Sequence, residues 1–318
     1  MLLQDLDSAV KLKTLTWDGL RIRRCSCLAP AVVVCAVLAT VHGASDPVEP
    51  TSQGQDPKKV DKSCYNLFNP TPLALLREME ALYENPYTVD AGHVQIETYP
   101  FGYRYHEEHV DHQARVSEGW TFAPLNVRLG VLNNLDLQLA LAPYTTARVQ
   151  DQLSAYTEKH QGFGDVVPRA RLNLWGNDGG KTAGAVTPFV KIPTNQDRLG
   201  NDAYEGGVIF AWAAELPMSW WLVVTPEMDV FANVNSPGYH PEGAGTAYFW
   251  HSIFGQLSGY VEFASRASAE PSVPWLGTLD LGMTYMLTKN IQLDAGMRLG
   301  LTASADDVNP FIGISVRF

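Results

Sequence analysis

Three places in this chain hold residue types that could do chemistry, and each has a plainer reading beside the chemical one. His106, His109 and His112 fall three apart, among Glu107, Glu108 and Asp111. Such spacing would put imidazoles on one face of a helix, as a metal site requires. The order His106-Glu107-Glu108-His109 is one residue short of the His-Glu-x-x-His pattern of zinc hydrolases. A solvated acidic loop is therefore the expectation, with no metal. Ser252 follows His251 directly, and adjacent strand residues point to opposite faces, so they cannot act as nucleophile and base. His160 and His240 fall in loops without a serine partner. No catalytic constellation, and no cofactor, is expected.

The cysteines point elsewhere. Arg21, Arg23 and Arg24 precede an apolar run from Leu28 to Val41, followed by His42-Gly43-Ala44. A basic flank, about 14 apolar residues and a small-residue exit read as a secretory signal over 1–43. A spanning helix would need roughly 20 residues. Cys25, Cys27 and Cys35 fall inside that signal, leaving Cys64; one cysteine makes neither an internal disulfide nor a four-ligand zinc site. Residues 44–70 read as a polar linker. Residues 71–86 read as a short helix, with Thr71 as N-cap, Pro72 in its first turn, and Leu75, Leu76, Met79, Leu82 and Tyr83 on one face.

From His93 the period of the pattern changes to two. Ile291, Leu293, Ala295, Met297, Leu299 and Leu301 alternate with Gln292, Asp294, Gly296, Arg298 and Gly300. Leu135 to Leu141 and Leu279 to Leu287 repeat the alternation. The segments commonly reach ten residues, longer than typical soluble strands and long enough to cross a bilayer. Tight turns near 132–134, 177–180, 217–219, 256–258 and 288–290 alternate with longer polar loops near 106–115, 150–161, 194–203, 234–244, 267–273 and 302–308. That asymmetry belongs to outer-membrane barrels. The segments predict an all-β, up-and-down transmembrane antiparallel β-barrel of twelve strands over 87–318: 93–105, 116–131, 134–149, 162–176, 182–193, 204–216, 220–233, 245–255, 258–266, 274–287, 291–301 and 309–318. An even number puts both barrel ends on the short-turn side.

With the apolar faces on lipid, an inward set of charges remains: Glu97, Arg128, Asp136, Arg169, Arg171, Lys191, Glu227, Asp229, Glu262, Arg266, Asp280, Asp294, Arg298 and Arg317. They predict a lumen lining in which opposite charges pair, or a selective constriction. Arg298 faces Asp280 on the strand beside it and is also within reach of Arg317 if register permits. Trp120, Trp175, Trp212, Trp220, Trp221, Trp250, Tyr260 and Trp275 fall mostly near strand ends, as an interfacial girdle would. The net charge of −11 excludes nucleic acid, which needs a basic face. The ending Gly313-Ile314-Ser315-Val316-Arg317-Phe318 resembles the terminal strand of bacterial outer-membrane proteins, which implies their assembly machinery as a partner.

Asp90-Ala91-Gly92-His93-Val94-Gln95-Ile96-Glu97-Thr98, Gly162-Phe163-Gly164-Asp165-Val166 and Gly259-Tyr260-Val261-Glu262-Phe263 resemble segments of the MetA-type outer-membrane proteins of the phenol meta-degradation pathway. The resemblance runs from about residue 85 to 318 and implies an uptake or export barrel in the bacterial outer membrane. The helix and linker before it depart from the family's more direct start. The expected function is a channel or transporter for small organic solutes, apolar and aromatic ones among them, contacting lipid outside and solute within. The alternatives are an outer-membrane lipid hydrolase, which needs a Ser–His pair on one rim, and a structural or adhesion barrel, which needs a filled lumen.

Overall fold

The computed structural model describes residues 61–79, 84–110, 113–151, 156–233, 236–271 and 273–318. The expected signal over 1–43 lies outside them, as do residues 44–60 of the linker. Among the described residues twelve strands close into an antiparallel barrel. They are β1 (Val94–Val110), β2 (Gln113–Phe122 and Leu125–Leu132), β3 (Leu135–Leu141 and Tyr144–Asp151), β4 (Tyr156–Gly162 and Val166–Trp175), β5 (Thr182–Lys191) and β6 (Glu205–Leu216). There follow β7 (Trp220–Ala232), β8 (Tyr239–Phe254), β9 (Leu257–Ser268), β10 (Leu276–Thr288), β11 (Ile291–Gly300) and β12 (Val308–Arg317). Each strand pairs with the next, and β12 returns to β1 from Gln95↔Arg317 to Tyr105↔Val308. Closure is obligatory, because hydrocarbon cannot satisfy the backbone groups of an open edge.

Strand alternation sorts the side chains. On β11, Leu293 and Met297 are exposed while Gln292, Asp294 and Arg298 are buried. Leu137, Leu139, Leu174, Phe210, Leu281, Met283 and Ile312 continue the exposed apolar set around the outside. In water this belt would be an aggregation surface; around a closed barrel with charged residues inside, it is the face that meets lipid.

The strands on the long-loop side run further than the sequence predicts. β1 reaches Val110, β4 begins at Tyr156 and β8 at Tyr239, so much of the expected loops 106–115, 150–161 and 234–244 is strand. Above the membrane both faces of a hairpin are wet, and a polar strand there resembles a loop. In β2 and β3 the ladder breaks between stretches at Ala123-Pro124 and Ala142-Pro143, and in β1 the register slips between Thr98 and Phe101, across Pro100. Proline has no N–H to give the ladder, and Ala123 turns to φ 47° to pass its kink. The first stretch of β4 rises past the end of β5. Loop residues cover its edge, where Gln161 N–H donates to Asp197 and Phe163 N–H to Gln196.

The segment before the barrel differs most from expectation. The described part of 71–86 holds only a three-residue 3-10 turn, Leu73–Leu75, and Leu76 is already extended. Thr71 does not cap it; Pro72 occupies that place without a side-chain bond. Leu82 and Tyr83 lie outside the described residues. The backbone finds better partners in the barrel than in helical bonds: Thr71 N–H donates to Ala91 O at 2.9 Å, and Arg77 N–H to Asp90 at 2.8 Å. Residues 61–70 are packed as well. Leu67 N–H donates to Val131 O, and the Lys62 side chain is buried beside Asp90.

The belt yields a direct test. Leu281 is exposed midway along β10, so Leu281→Arg should destabilise the barrel in lipid vesicles by about 2–4 kcal/mol. Leu281→Ile should stay close to wild type, as read by urea unfolding of heat-modifiable protein.

A charged lumen closed by the N-terminal segment

All fourteen residues expected on the inward face are buried, and they fall into three groups along the barrel. The first is at the short-turn end, on β1 to β4. Arg128 donates to Glu97 at 3.1 Å and to Asp136 at 2.8 Å. Arg169 and Arg171 stand on β4, two residues apart and therefore on one face. This stretch of wall carries three guanidiniums, Arg128, Arg169 and Arg171, against two carboxylates, Glu97 and Asp136.

The missing carboxylate comes from outside the wall. Glu84 accepts from Arg169 at 2.7 Å through one oxygen and from Arg171 through the other. Residues 84–90 follow as an extended stretch within the lumen, and the wall satisfies their backbone in turn. Asn173 donates to Pro86 O at 2.7 Å; Arg128 and Arg171 both donate to Tyr87 O. Thr88 N–H donates to Asn177 at 3.2 Å and Val89 N–H to Asp136 at 2.9 Å. Asp90 then lies within 3.6 Å of Lys62, Arg77 and Arg317. His93 ties the exit of the segment to the closing strand, one ring nitrogen meeting Phe318 O and the other Thr71 O. Gly92 is required here: its φ is +79°, and a Cβ would collide with Pro70.

The second group lies at the long-loop end. Arg266 meets Asp229 at 3.2 Å and Glu242 at 3.1 Å, with Glu227 at 3.7 Å. Lys191 donates to Glu205 at 2.7 Å and lies 3.5 Å from Asp165. Arg266 and Lys191 flank the ring of Phe231. Asp165 also accepts from the backbone of Thr194 and Asn195, pinning the loop after β5. The third group, on β9 to β11, is Glu262, Asp280, Asp294 and Arg298. Arg298 donates to Asp280 at 2.8 Å across directly paired positions. Arg317 is not near it: Arg298 faces Asn309 on β12, and Arg317 lies at the short-turn end.

Sequence reasoning missed two features. One is the occupied lumen; the signal that could have found it is the unbalanced guanidinium on β1 to β4. The other is that the wall is not polar all round. Ala183, Ala213, Val223 and Tyr248 form a buried apolar cluster across β5 to β8, with Trp221 and Trp250 packed against it and Tyr87 reaching it from the N-terminal segment. Trp221, Trp250 and the buried Tyr260 thus depart from the expected girdle, whereas Trp120, Trp175, Trp212, Trp220 and Trp275 are exposed. The lumen is amphipathic, with charge on one side and small apolar and aromatic groups on the other.

The histidines hold structural partners. His160 lies 2.9 Å from Glu158, His240 3.0 Å from Glu242, and His251 stacks on Trp220. His106 is on β1, 4.0 Å from Asp307, and His112 lies outside the described residues. Among the described residues no group of His, Cys, Asp and Glu could hold a metal ion.

The family model described as the MetA-pathway of phenol degradation matches residues 83–318. The chain belongs to this family. No curated protein matches it in sequence. Among solved structures, an outer membrane channel from Pseudomonas putida F1 is 12% identical with a TM-score of 0.57, over 75% of this chain and 100% of that one. The translocator domain of autotransporter NalP from Neisseria meningitidis is 8% identical with a TM-score of 0.48, over 71% and 88%. The first likeness is one of fold. The family match begins at residue 83, so it includes Glu84 and the lumenal stretch after it but not residues 61–79.

Glu84 gives this site its pH signature. Burial alone would raise its carboxyl, but the charges of Arg171 and Arg169 overcome that and hold it at about 2. A depressed carboxyl stabilises the docked segment fully above its ordinary value of 4.5, and loses that effect as pH falls through about 2. Glu84→Gln should therefore cost about 3–5 kcal/mol at neutral pH, because two guanidiniums lose their buried partner. The difference in unfolding midpoint between wild type and variant should shrink steadily from pH 4.5 towards 2.

Proposed function

We propose that this member of the phenol-degradation family is an outer-membrane channel for small organic solutes whose lumen is stoppered by its own N-terminal segment. The observation that carries the reading is the amphipathic lumen. A wall charged all round suits water and ions, and a wall apolar all round would hold an apolar solute too tightly to release it. Here charge on one side keeps water in the path. On the other side the partly buried Trp221 and Trp250, packed over the cluster of Ala183, Ala213, Val223 and Tyr248, offer apolar and aromatic molecules a surface. The family match and the barrel fold support the same reading.

In this reading the segment from Glu84 to Asp90 sets the resistance to passage. It is held by ion pairs and by hydrogen bonds to its backbone, which break one at a time, rather than by a single apolar interface. Residues 1–43 direct export, and the strand ending at Phe318 engages the outer-membrane assembly machinery. A hydrolase would need a serine beside a histidine. Ser252 and His251 stand on opposite faces of β8, and the histidine is stacked on Trp220.

Purified protein in planar bilayers tests the channel. Wild type should give small, infrequent openings, and Glu84→Gln should open more often at the same voltage. Liposomes containing the variant should swell faster than wild type in an isotonic small aromatic solute. A folded variant that neither conducts nor admits solute would end the channel reading.

A further inference from the structure

The fourteen inward charges read from the alternation balance as a set but not locally. The stoppered end has too many cations for its wall carboxylates. The third group has the opposite imbalance, with Glu262, Asp280 and Asp294 against Arg298. Arg298 is committed to Asp280. Arg298 also lies within electrostatic reach of Glu262, whose carboxylate meets the Thr246 side chain, whereas the charged neighbour of Asp294 is another carboxylate, Glu97. Both oxygens of Asp294 are buried without a hydrogen-bond partner, the Gly313 amide of β12 being the polar group that approaches.

Beside these carboxylates lies an inward aromatic layer that no girdle explains. Tyr99 and Phe311 meet edge to face at 5.4 Å. Tyr260 and Phe311 are 4% and 5% exposed, and both rest on glycines. A Cβ at Gly282 would enter the Tyr260 ring, and one at Gly296 the Phe311 ring. The glycines of β10 and β11 make the room that these rings occupy. Tyr99 and Tyr260 each lie within electrostatic reach of both Asp294 and Glu262.

Desolvated carboxylates next to aromatic faces are complementary to one kind of ligand. A cation compensates the buried charge, and ring faces attract it further when it is poorly hydrated. A hard metal ion is a poor match, since it needs six or more oxygens at close range, and no group of side chains here is placed to hold one. We propose that Asp294, Glu262, Tyr99, Tyr260 and Phe311 form a lumenal subsite for small organic ammonium ions, protonated primary arylalkylamines above all. The same carboxylates repel aromatic acids. The subsite thus makes the channel selective by charge among molecules of one size. It rests on the reading of the barrel as a path for small organic solutes, but its occupancy does not require passage.

Equilibrium binding separates the two. Calorimetry of the folded barrel in detergent micelles is run with benzylammonium, benzyl alcohol and benzoate, three ligands of nearly one shape. Benzylammonium should bind tightest and benzoate not measurably, and Asp294→Asn should weaken benzylammonium by about tenfold or more. Glu262→Gln should weaken it in the same direction and serves as the test if Asp294→Asn fails to fold by heat-modifiable migration. Benzoate binding as well as benzylammonium, or unchanged binding in a folded variant, overturns the subsite. So does equal displacement by sodium, which would mean a bare cation site. Binding with no conductance in any variant would contradict the channel and leave the subsite standing; conductance without an amine preference would do the reverse.

Discussion

Lipid accepts neither an open sheet edge nor an unpaired charge, and the second exclusion shapes this molecule more than the first. Twelve strands alternate side chains between two environments, so every ionisable group within the spanning region is forced to one side. The barrel they close is narrow enough that seven cationic and seven anionic residues, read from the alternation and all buried, crowd against one another. Pairing follows from confinement: Arg128 between Glu97 and Asp136, Arg266 among Glu227, Asp229 and Glu242, and Arg298 on Asp280. Where the wall cannot balance itself, something else must enter. At the short-turn end, Glu84 does so and brings its neighbours with it.

The docked segment therefore has an electrostatic cause. Residues 84–90 place polar side chains and backbone groups where they can pair with the charged wall. Inside the barrel, their amides and carbonyls meet side chains of the opposite polarity, from Asn173 on Pro86 to Asp136 on Val89. The apolar stripe on β5 to β8 needs no such partners and is covered by the partly buried Trp221, Trp250 and Tyr87. One chain thus combines a closure of many individually modest bonds with a wall that suits molecules part apolar and part polar.

Most of the barrel was legible because period-two alternation survives in a single sequence. The alternation of β11 places Leu293 outside and Asp294 inside without any knowledge of neighbours. Turn and loop lengths then set the strand number. What alternation cannot register is strand above the membrane, where both faces are wet; hence β1 and β8 run past their expected ends. In the described part of 71–86 the expected helix is absent for a related reason. Leu75, Leu76 and Met79 do fit a helical face, but local spacing carries no information about Asp90 or Ala91, which take the backbone bonds instead. The stopper was hidden because its partners, Arg169 and Arg171, lie more than eighty residues away. Only a charge count over β1 to β4, with its surplus guanidinium, pointed to a carboxylate still to be placed.

The segment around Glu84 sits within the lumen, held to the wall by Arg169 and Arg171. Thr88 and Asn177 touch across that junction, with Asn177 Nδ2 donating to Thr88 Oγ1 at 2.9 Å. Cysteines at both positions, with the exposed Cys64 replaced by serine, allow the segment to be tethered by oxidation or a short bifunctional thiol reagent. Conductance and solute flux are then compared before and after tethering, and again after reduction of the disulfide form. The account predicts efficient cross-linking, loss of passage in the tethered protein and recovery on reduction. Passage that is equal in the tethered and reduced forms would contradict it.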